Sequence, residues 1–386
     1  MPAPAKRSFT PRPVALALVG LLGSMTGAQA ALVTMTSQNF TTSSGTATAT
    51  CGPISNSSGS CSATGTVLTP AAQTSNFNQF DATAGVLTGV TIGLASTRTQ
   101  TVSGSVSGLS FTGKQTAATA SGTSGASLSA LGATTSNLGG NISHSSSAAG
   151  NTTIGPSTTA PATTIATLAV GAGSLDSYAG GGTVAVTRQL SSVQATSAIT
   201  NGSTLTKTTA TANYSVNWEG STSVSYSYLL HALPSFSANK ALSEITLEFG
   251  THFVGAAVAD QTVSLFNLLA GDRTGLDLDA FSAFGSASPF STDLALFAGL
   301  IAGASDEFAF SFDTSSAGVF GQQFILNLSD ADVGAASTRN NYTLTVNLAG
   351  TVLAQPQGGT VPEPHMLGLV CVGLLGLAYS RRRRPV

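Results

Sequence analysis

Apolar and polar side chains alternate along much of this 386-residue chain, and a period of two is typical of a β-strand with one buried face. Turn-forming residues separate the alternating segments, as at Gly271-Asp272, Gly318, Ser329-Asp330 and Asn340-Asn341. This arrangement predicts an all-β protein built from antiparallel, sandwich-like regions. The alternating apolar positions are Val184 and Val186; Tyr214, Val216 and Trp218 on one face and Val224, Tyr226 and Tyr228 on the next; Ile245, Leu247 and Phe249; Phe308, Phe310 and Phe312; Phe324, Leu326 and Leu328; and Tyr342, Leu344, Val346 and Leu348.

Two stretches depart from the alternation. Leu294, Phe297 and Ile301 recur at helical spacing, which predicts a short helix within residues 292–302. Residues 113–165 hold few large apolar side chains and repeat Ser, Thr, Gly and Ala, so we expect long loops or a flexible insertion there.

The distribution of Phe and of acidic residues divides the chain. Of the 18 Phe, five lie in residues 31–240 and twelve in residues 241–360, and the acids are concentrated after residue 240 in the same way. The sequence therefore predicts a Ser/Thr/Gly-rich β region over 31–240 and a Phe-rich, acidic β-sandwich region over 241–355. A terminal signal helix is expected at each end of the chain, in residues 1–30 and 361–386.

The net charge argues against one class of partner. Outside the two terminal segments the chain keeps 7 basic and 15 acidic residues, a net charge of about −8. Nucleic-acid binding needs clustered Lys and Arg to neutralise phosphates, so no nucleic-acid partner is expected.

The N-terminal segment has the three parts of a secretory signal peptide. Lys6, Arg7 and Arg12 form a positive region, residues 14–22 are apolar, and Ala28-Gln29-Ala30 is a small-x-small cleavage site. Cleavage after Ala30, with Ala28 as the other small residue of the site, would leave Ala31 as the mature N-terminus. The alternative is a buried N-terminal helix.

The C-terminal segment combines a short motif, an apolar run and a basic cluster. Val361-Pro362-Glu363-Pro364 precedes an apolar run over residues 366–379, which as a helix is about 21 Å long, short for a bilayer core of about 30 Å. The run would insert transiently in the inner membrane while the arginines stay in the cytoplasm. A simple C-terminal anchor is the alternative. The membrane-facing positions are Met366, Leu369, Val372, Leu375 and Tyr379, and the basic cluster is Arg381, Arg382, Arg383 and Arg384.

This ordered pattern resembles the PEP-CTERM sorting signal of Gram-negative bacteria. The resemblance implies that an exosortase, a membrane transpeptidase, reads Pro362, Glu363 and Pro364 and removes the tail. It also implies export in an organism that makes extracellular polysaccharide, and it implies no activity for the body.

A second motif lies in the first region. The segment from Phe80-Asp81 to Val90 resembles the "FD..LG.L..V" opening of choice-of-anchor E domains, with Ala82 where proline is common and Val86 inserted. That resemblance implies an extracellular, β-rich body without known chemistry. Leu247-Glu248-Phe249-Gly250, followed by Gly255, is loosely similar to the start of choice-of-anchor D domains.

The cysteines fit an exported chain. Cys51 and Cys61 are ten residues apart beside Gly-containing turns, which predicts a hairpin disulfide in an oxidising compartment. The third cysteine, Cys371, lies in the C-terminal tail.

The sequence offers no convincing catalytic site. It has no G-x-S-x-G elbow, and the S-x-x-K spacing of Ser237 and Lys240 has no K-T-G partner. His144, His231, His252 and His365 are scattered, so we expect no metal site from them. Loose acidic clusters invite comparison with calcium loops, but they lack the EF-hand spacing and we interpret them as turn and edge carboxylates. These clusters are Asp272, Asp277 and Asp279; Asp306 and Glu307; and Asp330 and Asp332.

We therefore expect a non-catalytic protein without a cofactor, tethered to the inner membrane before processing and then located at the cell surface or outside the cell. Its expected partners are the exosortase-type enzyme and exopolysaccharide, as in a biofilm matrix. A secreted hydrolase with an unrecognised site is one alternative. A calcium-dependent adhesin is another, and it predicts that chelation lowers the melting temperature.

Overall fold

A computed structural model describes residues 32–54, 60–65, 70–107, 117–135, 138, 142–149, 153–200, 208–285, 289–356 and 365–381. The predicted signal peptide, the Pro362-Glu363-Pro364 motif and Arg382 to Arg384 lie outside these described residues. Strands dominate the rest, which confirms the all-β fold class, and the C-terminal segment forms the expected helix, α1 (His365–Arg381).

The first part of the chain consists of long strands, because Thr, Val and Tyr at alternating positions favour extended backbone. The strands are β1 (Leu32–Ile54), β2 (Cys61–Thr64), β3 (Gln73–Asn78), β4 (Val86–Ser107), β5 (Ala117–Ala130), β6 (Ala133–Thr135), β7 (Ile142–Ala149), β8 (Thr153–Thr158), β9 (Ala162–Ala169), β10 (Thr183–Thr200) and β11 (Thr208–Leu229). Short 3₁₀ helices occur at Ala82–Ala84 and Ala172–Tyr178.

These strands form two antiparallel sheets. Sheet A has the order β1-β11-β4-β8, with β9 also pairing with β4, and sheet B has the order β2-β10-β5-β6, with β3 on β10 and β7 on β5. β1 runs antiparallel to β11 from the pair Leu32↔Tyr228 to the pair Ile54↔Thr208. The two predicted faces around Tyr214 and Tyr226 thus belong to one side of a single 22-residue strand, β11.

The core between sheets A and B combines large side chains with many small ones. Ala118, Ala120 and Gly122 occupy alternating inward positions on β5, and Gly122 lies so close to the ring of Tyr214 that a Cβ atom there would overlap it. Small residues at such positions let the sheets approach closely between the large side chains of the core. Trp218 is one of them, with its ring 5.1 Å from that of Phe40.

The prediction of loops over residues 113–165 is wrong for the part of this segment that the structure describes. β5, β6, β7, β8 and the start of β9 occupy it. Apart from Leu128, the inward residues of β5 are Ala, Gly and Ser, so its period of two carries little hydropathy contrast and large apolar residues do not mark it.

The second part of the chain has shorter strands and a core rich in Phe. The strands are β12 (Pro234–Ser235), β13 (Glu244–Phe253), β14 (Gln261–Asn267), β15 (Leu276–Gly285), β16 (Phe290–Thr292), β17 (Phe297–Leu300), β18 (Ser305–Phe312), β19 (Gly318–Asp330) and β20 (Asn341–Leu353). Sheet C has the order β12-β14-β18-β16 and sheet D the order β13-β20-β19-β15-β17. Pairing is antiparallel except between β13 and β20, which run parallel.

The two parts have separate hydrophobic cores. One core spans Phe40 to Tyr226 and also takes in Ala335, whereas the other spans Ala232 to Val352. In the second core the rings of Phe290 and Phe312 stack with centroids 4.8 Å apart. The predicted boundary near residue 240 itself stays a prediction.

The helix predicted within residues 292–302 is wrong. β16 ends at Thr292, β17 covers Phe297–Leu300, and Gly299 adopts a φ of +72°, which is incompatible with a right-handed helix. Two side chains bond the backbone instead, because Thr292 Oγ1 accepts the Leu294 N–H at 3.1 Å and Asp293 Oδ1 accepts the Ala309 N–H at 2.7 Å. Such local bonds compete with a helix.

Candidate functional site

The C-terminal helix α1 is exposed along its described side chains. Leu369, Val372, Leu375 and Tyr379 all point to solvent, and apolar residues surround the helix axis instead of forming one stripe. No helix in the described ranges of the chain has both the length and the apolar character needed to cross a membrane. Met366 and Arg381 belong to α1 as well.

The two body cysteines are joined by a disulfide. Cys51 lies near the end of β1 in sheet A, Cys61 opens β2 in sheet B, and their Cα atoms are 6.0 Å apart. The bond therefore connects the two sheets of the first part of the chain. Cys371 is exposed on α1.

The described residues bring several ionisable groups together at one place, around the buried carboxylate of Asp330. His231 Nδ1 lies 2.7 Å from Oδ2 and the Asn340 N–H donates to the same oxygen at 2.8 Å. Oδ1 accepts the Ala232 N–H at 2.7 Å and the Tyr342 hydroxyl at 3.0 Å. Burial and then the adjacent Asp330 raise the pKa of the Tyr342 phenol well above its usual range, so the hydroxyl keeps its proton.

The same cluster connects the two parts of the chain. His231 Nε2 donates to the Ala82 carbonyl at 2.8 Å, since a carbonyl oxygen only accepts, and Arg273 donates to the His231 carbonyl. Burial lowers the pKa of the Arg273 guanidinium. A histidine that acts as a general base needs one ring nitrogen free for the substrate or nucleophile, whereas both nitrogens of His231 are engaged here. The His231–Asp330 pair therefore has the geometry of a structural contact.

A loop after Asp330 extends this junction. Gly334 adopts a φ of +59° and lies so close to the Leu87 carbonyl that a side chain would overlap it. The next residue, Ala335, donates its N–H to that carbonyl at 2.8 Å, and Thr338 Oγ1 accepts the Leu87 N–H at 3.0 Å. Ser337 bonds Asp176 with both its N–H and its hydroxyl.

The other sequence candidates do not assemble into a site. His252 Nε2 donates locally to the Phe249 carbonyl at 2.6 Å, and the Ser237 hydroxyl accepts the Asn239 N–H at 3.5 Å within a turn. Asp277 accepts the Gly299 N–H at 2.6 Å, and Asp332 pairs with Arg339. Among the described residues, no group of three or more His, Cys, Asp or Glu side chains is placed to hold a metal ion.

The outer side of sheet A carries a regular array of small polar side chains, which we call the hydroxyl face. Register places these residues in rows across β1, β11 and β4, because outward positions of paired strands lie side by side. The rows are Ser44–Asn217–Thr99, Thr46–Ser215–Thr101–Thr158, Thr48–Asn213–Ser103 and Thr50–Thr211–Ser105, with Thr158 contributed by β8.

The edges of the hydroxyl face are internally hydrogen-bonded. The Ser44 hydroxyl donates to Asn217 Oδ1 at 2.9 Å, the Ser105 and Thr211 hydroxyls bond at 2.7 Å, and those of Thr101 and Thr158 bond at 2.9 Å. These contacts fix the outermost side chains of the array.

The centre of the face is an open depression of about 220 Å³. Its polar lining is Thr46, Thr48, Thr101, Ser103, Asn213 and Ser215. Thr101 is engaged by Thr158, but the other five make no side-chain hydrogen bond within the described part of the chain. Their donors and acceptors are therefore open to solvent or to a ligand.

Sequence reasoning missed both the Asp330 cluster and the hydroxyl face. Asp330 was expected only as a turn residue, and nothing in its local sequence indicates burial. The hydroxyl face had a usable signal, since Ser, Thr and Asn occupy every second position of residues 44–50 and 211–217. Those polar positions alternate with inward Gly, Ala, Tyr and Val residues.

Comparison with known proteins identifies one segment of the chain. The PEP-CTERM protein-sorting motif matches residues 360–384, which confirms the predicted sorting signal and implies an exported, cell-surface protein that an exosortase sorts. No curated protein sequence matches the chain significantly. The crystal structure of the E. coli chaperone DraB is similar over 27% of this chain and 57% of that one, at 12% identity and a TM-score of 0.17, a likeness too weak to bear on fold or function.

Proposed function

We propose that this protein is a non-catalytic component of the cell surface or of an exopolysaccharide matrix, delivered there by exosortase processing of its C-terminal tail. The observation that carries the proposal is the sorting motif at residues 360–384 behind an all-β body. The engagement of both ring nitrogens of His231 supports the non-catalytic part.

We also propose that the body resembles choice-of-anchor E domains and divides near residue 240. Two separate hydrophobic cores support the division. The Phe80-Asp81 motif supports the resemblance, since Phe80 is buried against Tyr226 and Tyr228 and Asp81 caps the 3₁₀ helix by accepting the Thr83 N–H at 2.9 Å.

The test follows the mass and location of the chain in its own host. The triple variant P362A/E363A/P364A removes the motif, and the control P356A/Q357A changes two residues upstream of it. Full-length protein should accumulate in the inner membrane only for the motif variant, while the control is shortened and recovered with the matrix fraction. Identical processing of both variants would refute the proposed sorting route.

A further inference from the structure

We infer that the hydroxyl face binds a neutral polysaccharide chain, with the depression around Thr48, Ser103 and Asn213 as its centre. This inference rests on the proposed function and names the surface that would carry it. Neighbouring side chains within a row lie about 4.8 Å apart across the strands, and successive rows lie about 6.7 Å apart along the strands. Neighbouring polar groups therefore lie within the span of a sugar ring and its substituents.

The chemistry of the face selects the kind of partner. Serine and threonine hydroxyls each donate one hydrogen bond and accept others, and the Asn213 amide does both, which matches the mixed donors and acceptors of sugar hydroxyls. A protein partner would favour aromatic and apolar contacts, which the face does not present.

Charge decides between neutral and acidic polysaccharides. The side chains of the face are Ser, Thr and Asn, which carry no charge. The acids of the body are concentrated after residue 240, outside the region that carries the face, and the face itself has no Lys or Arg that could pair with the carboxylates of a polyanionic glycan. A neutral glycan needs no such pairing, and its binding should not depend on ionic strength.

The unengaged groups at the centre of the face make binding favourable. The side chains of these five residues, Thr46, Thr48, Ser103, Asn213 and Ser215, make no hydrogen bond within the described part of the chain, whereas the hydroxyls at the edges already bond neighbouring side chains. A ligand in the depression therefore gains bonds without breaking internal ones. Truncating three central groups should weaken binding by about tenfold or more, since each bond contributes about 0.5–1.5 kcal/mol.

The experiment measures retardation of the detergent-solubilised full chain in native gels that contain dextran, hydroxyethyl cellulose or alginate. The test variant is T48A/S103A/N213A. The matched control is N327A/T343A/T345A, which truncates the same classes of polar side chain on the outer side of sheet D. We expect retardation by a neutral polymer that the test variant loses, that the control keeps, and that 0.5 M salt leaves unchanged.

Several results would overturn the inference. These are no retardation by either neutral polymer, retardation by alginate alone, equal loss in both triple variants, or a mass spectrum showing glycans already attached to the face. If the test variant fails to fold by circular dichroism, the single exposed substitution T48K gives the same test. Loss of binding with normal processing and matrix location would separate this inference from the proposed function, which would then stand.

Discussion

The Nδ1 atom of His231 lies 2.7 Å from the carboxylate of Asp330, and the side chain of Asp330 is wholly buried. This contact joins the end of β19 to the segment after β11, and His231 continues it to Ala82 in the first part of the chain. Removing the charge of a buried carboxylate that accepts this many hydrogen bonds destabilises the folded protein far more than removing the charge of an exposed one.

Replacing the buried acid should therefore destabilise the fold. We expect D330N to lower the free energy of unfolding by about 3 kcal/mol, because its amide must turn an N–H toward one of several donors. Urea titration followed by tryptophan fluorescence measures the loss. The control is D332N, whose side chain is 88% exposed and should change stability by less than about 0.5 kcal/mol. Equal effects would show that burial of Asp330 is unimportant.

The close approach of β5 to β11 can be tested by adding a side chain at Gly122. Adding a methyl group at Gly122 places it against the Tyr214 ring, so G122A should cost about 1–3 kcal/mol of stability through forced repacking. G155A is the matched control in strand β8, since a Cβ there meets no atom within 4 Å. Thermal denaturation of both variants compares them, and an unchanged melting temperature for G122A would contradict the close approach of Gly122 to the Tyr214 ring.

The disulfide between sheets A and B should stabilise the first part of the chain. Cys51 and Cys61 are separated by ten residues, and closing a loop of that size contributes about 2–3 kcal/mol in the chain-entropy description. C51S/C61S should lose about that amount in denaturant titrations, with C371S as a control that leaves stability unchanged. A reductant should lower the stability of the control protein but have no further effect on C51S/C61S.

Alkaline pH should destabilise the fold through Tyr226. Its hydroxyl donates to the Asn78 carbonyl at 2.6 Å, and burial, with a smaller effect of Tyr178, raises its pKa to about 12. Between about pH 10 and 12 the unfolded chain loses this proton while the folded chain keeps it, so stability falls as pH rises. The slope should reach at most about 1.4 kcal/mol per pH unit for this tyrosine.

The substitution Y226F isolates that contribution. Phenylalanine removes the ionisable group along with one hydrogen bond, so the variant should be less stable at pH 7 but should lose stability less steeply above pH 10. Guanidinium titrations at pH 8, 10 and 11 provide the comparison. Parallel curves for the two proteins would mean that Tyr226 ionises as freely in the folded state as in the unfolded state.

The sequence predicted the strands whose inward residues are large. Phe308, Phe310 and Phe312 all lie on the buried side of β18, as their alternation required. The strand β5 escaped detection because Ala118, Ala120 and Gly122 differ little in hydropathy from the Ser and Thr between them. Burial of such residues depends on a partner sheet and not on their own transfer free energies.

Long-range pairing explains the remaining differences. Leu294, Phe297 and Ile301 have helical spacing, yet Phe297 pairs with Leu278 on β15 and Ile301 is exposed. Asp330 and His231 are 99 residues apart, so no local pattern relates them. The hydroxyl face likewise exists only once register sets Thr48 beside Asn213 and Asn213 beside Ser103.

The pairing of Leu32 with Tyr228 has a mechanical consequence for an anchored protein. The chain enters β1 and leaves β11 at the same end of this strand pair, just before the second part that leads to the tail. Tension between the N-terminus and the end of the second part, after β20, would therefore separate β1 from β11 one residue pair at a time, rather than shear all the pairs together. Under flow, we expect β1 to separate from β11 at low force, until the Cys51–Cys61 disulfide near the end of β1 prevents further separation.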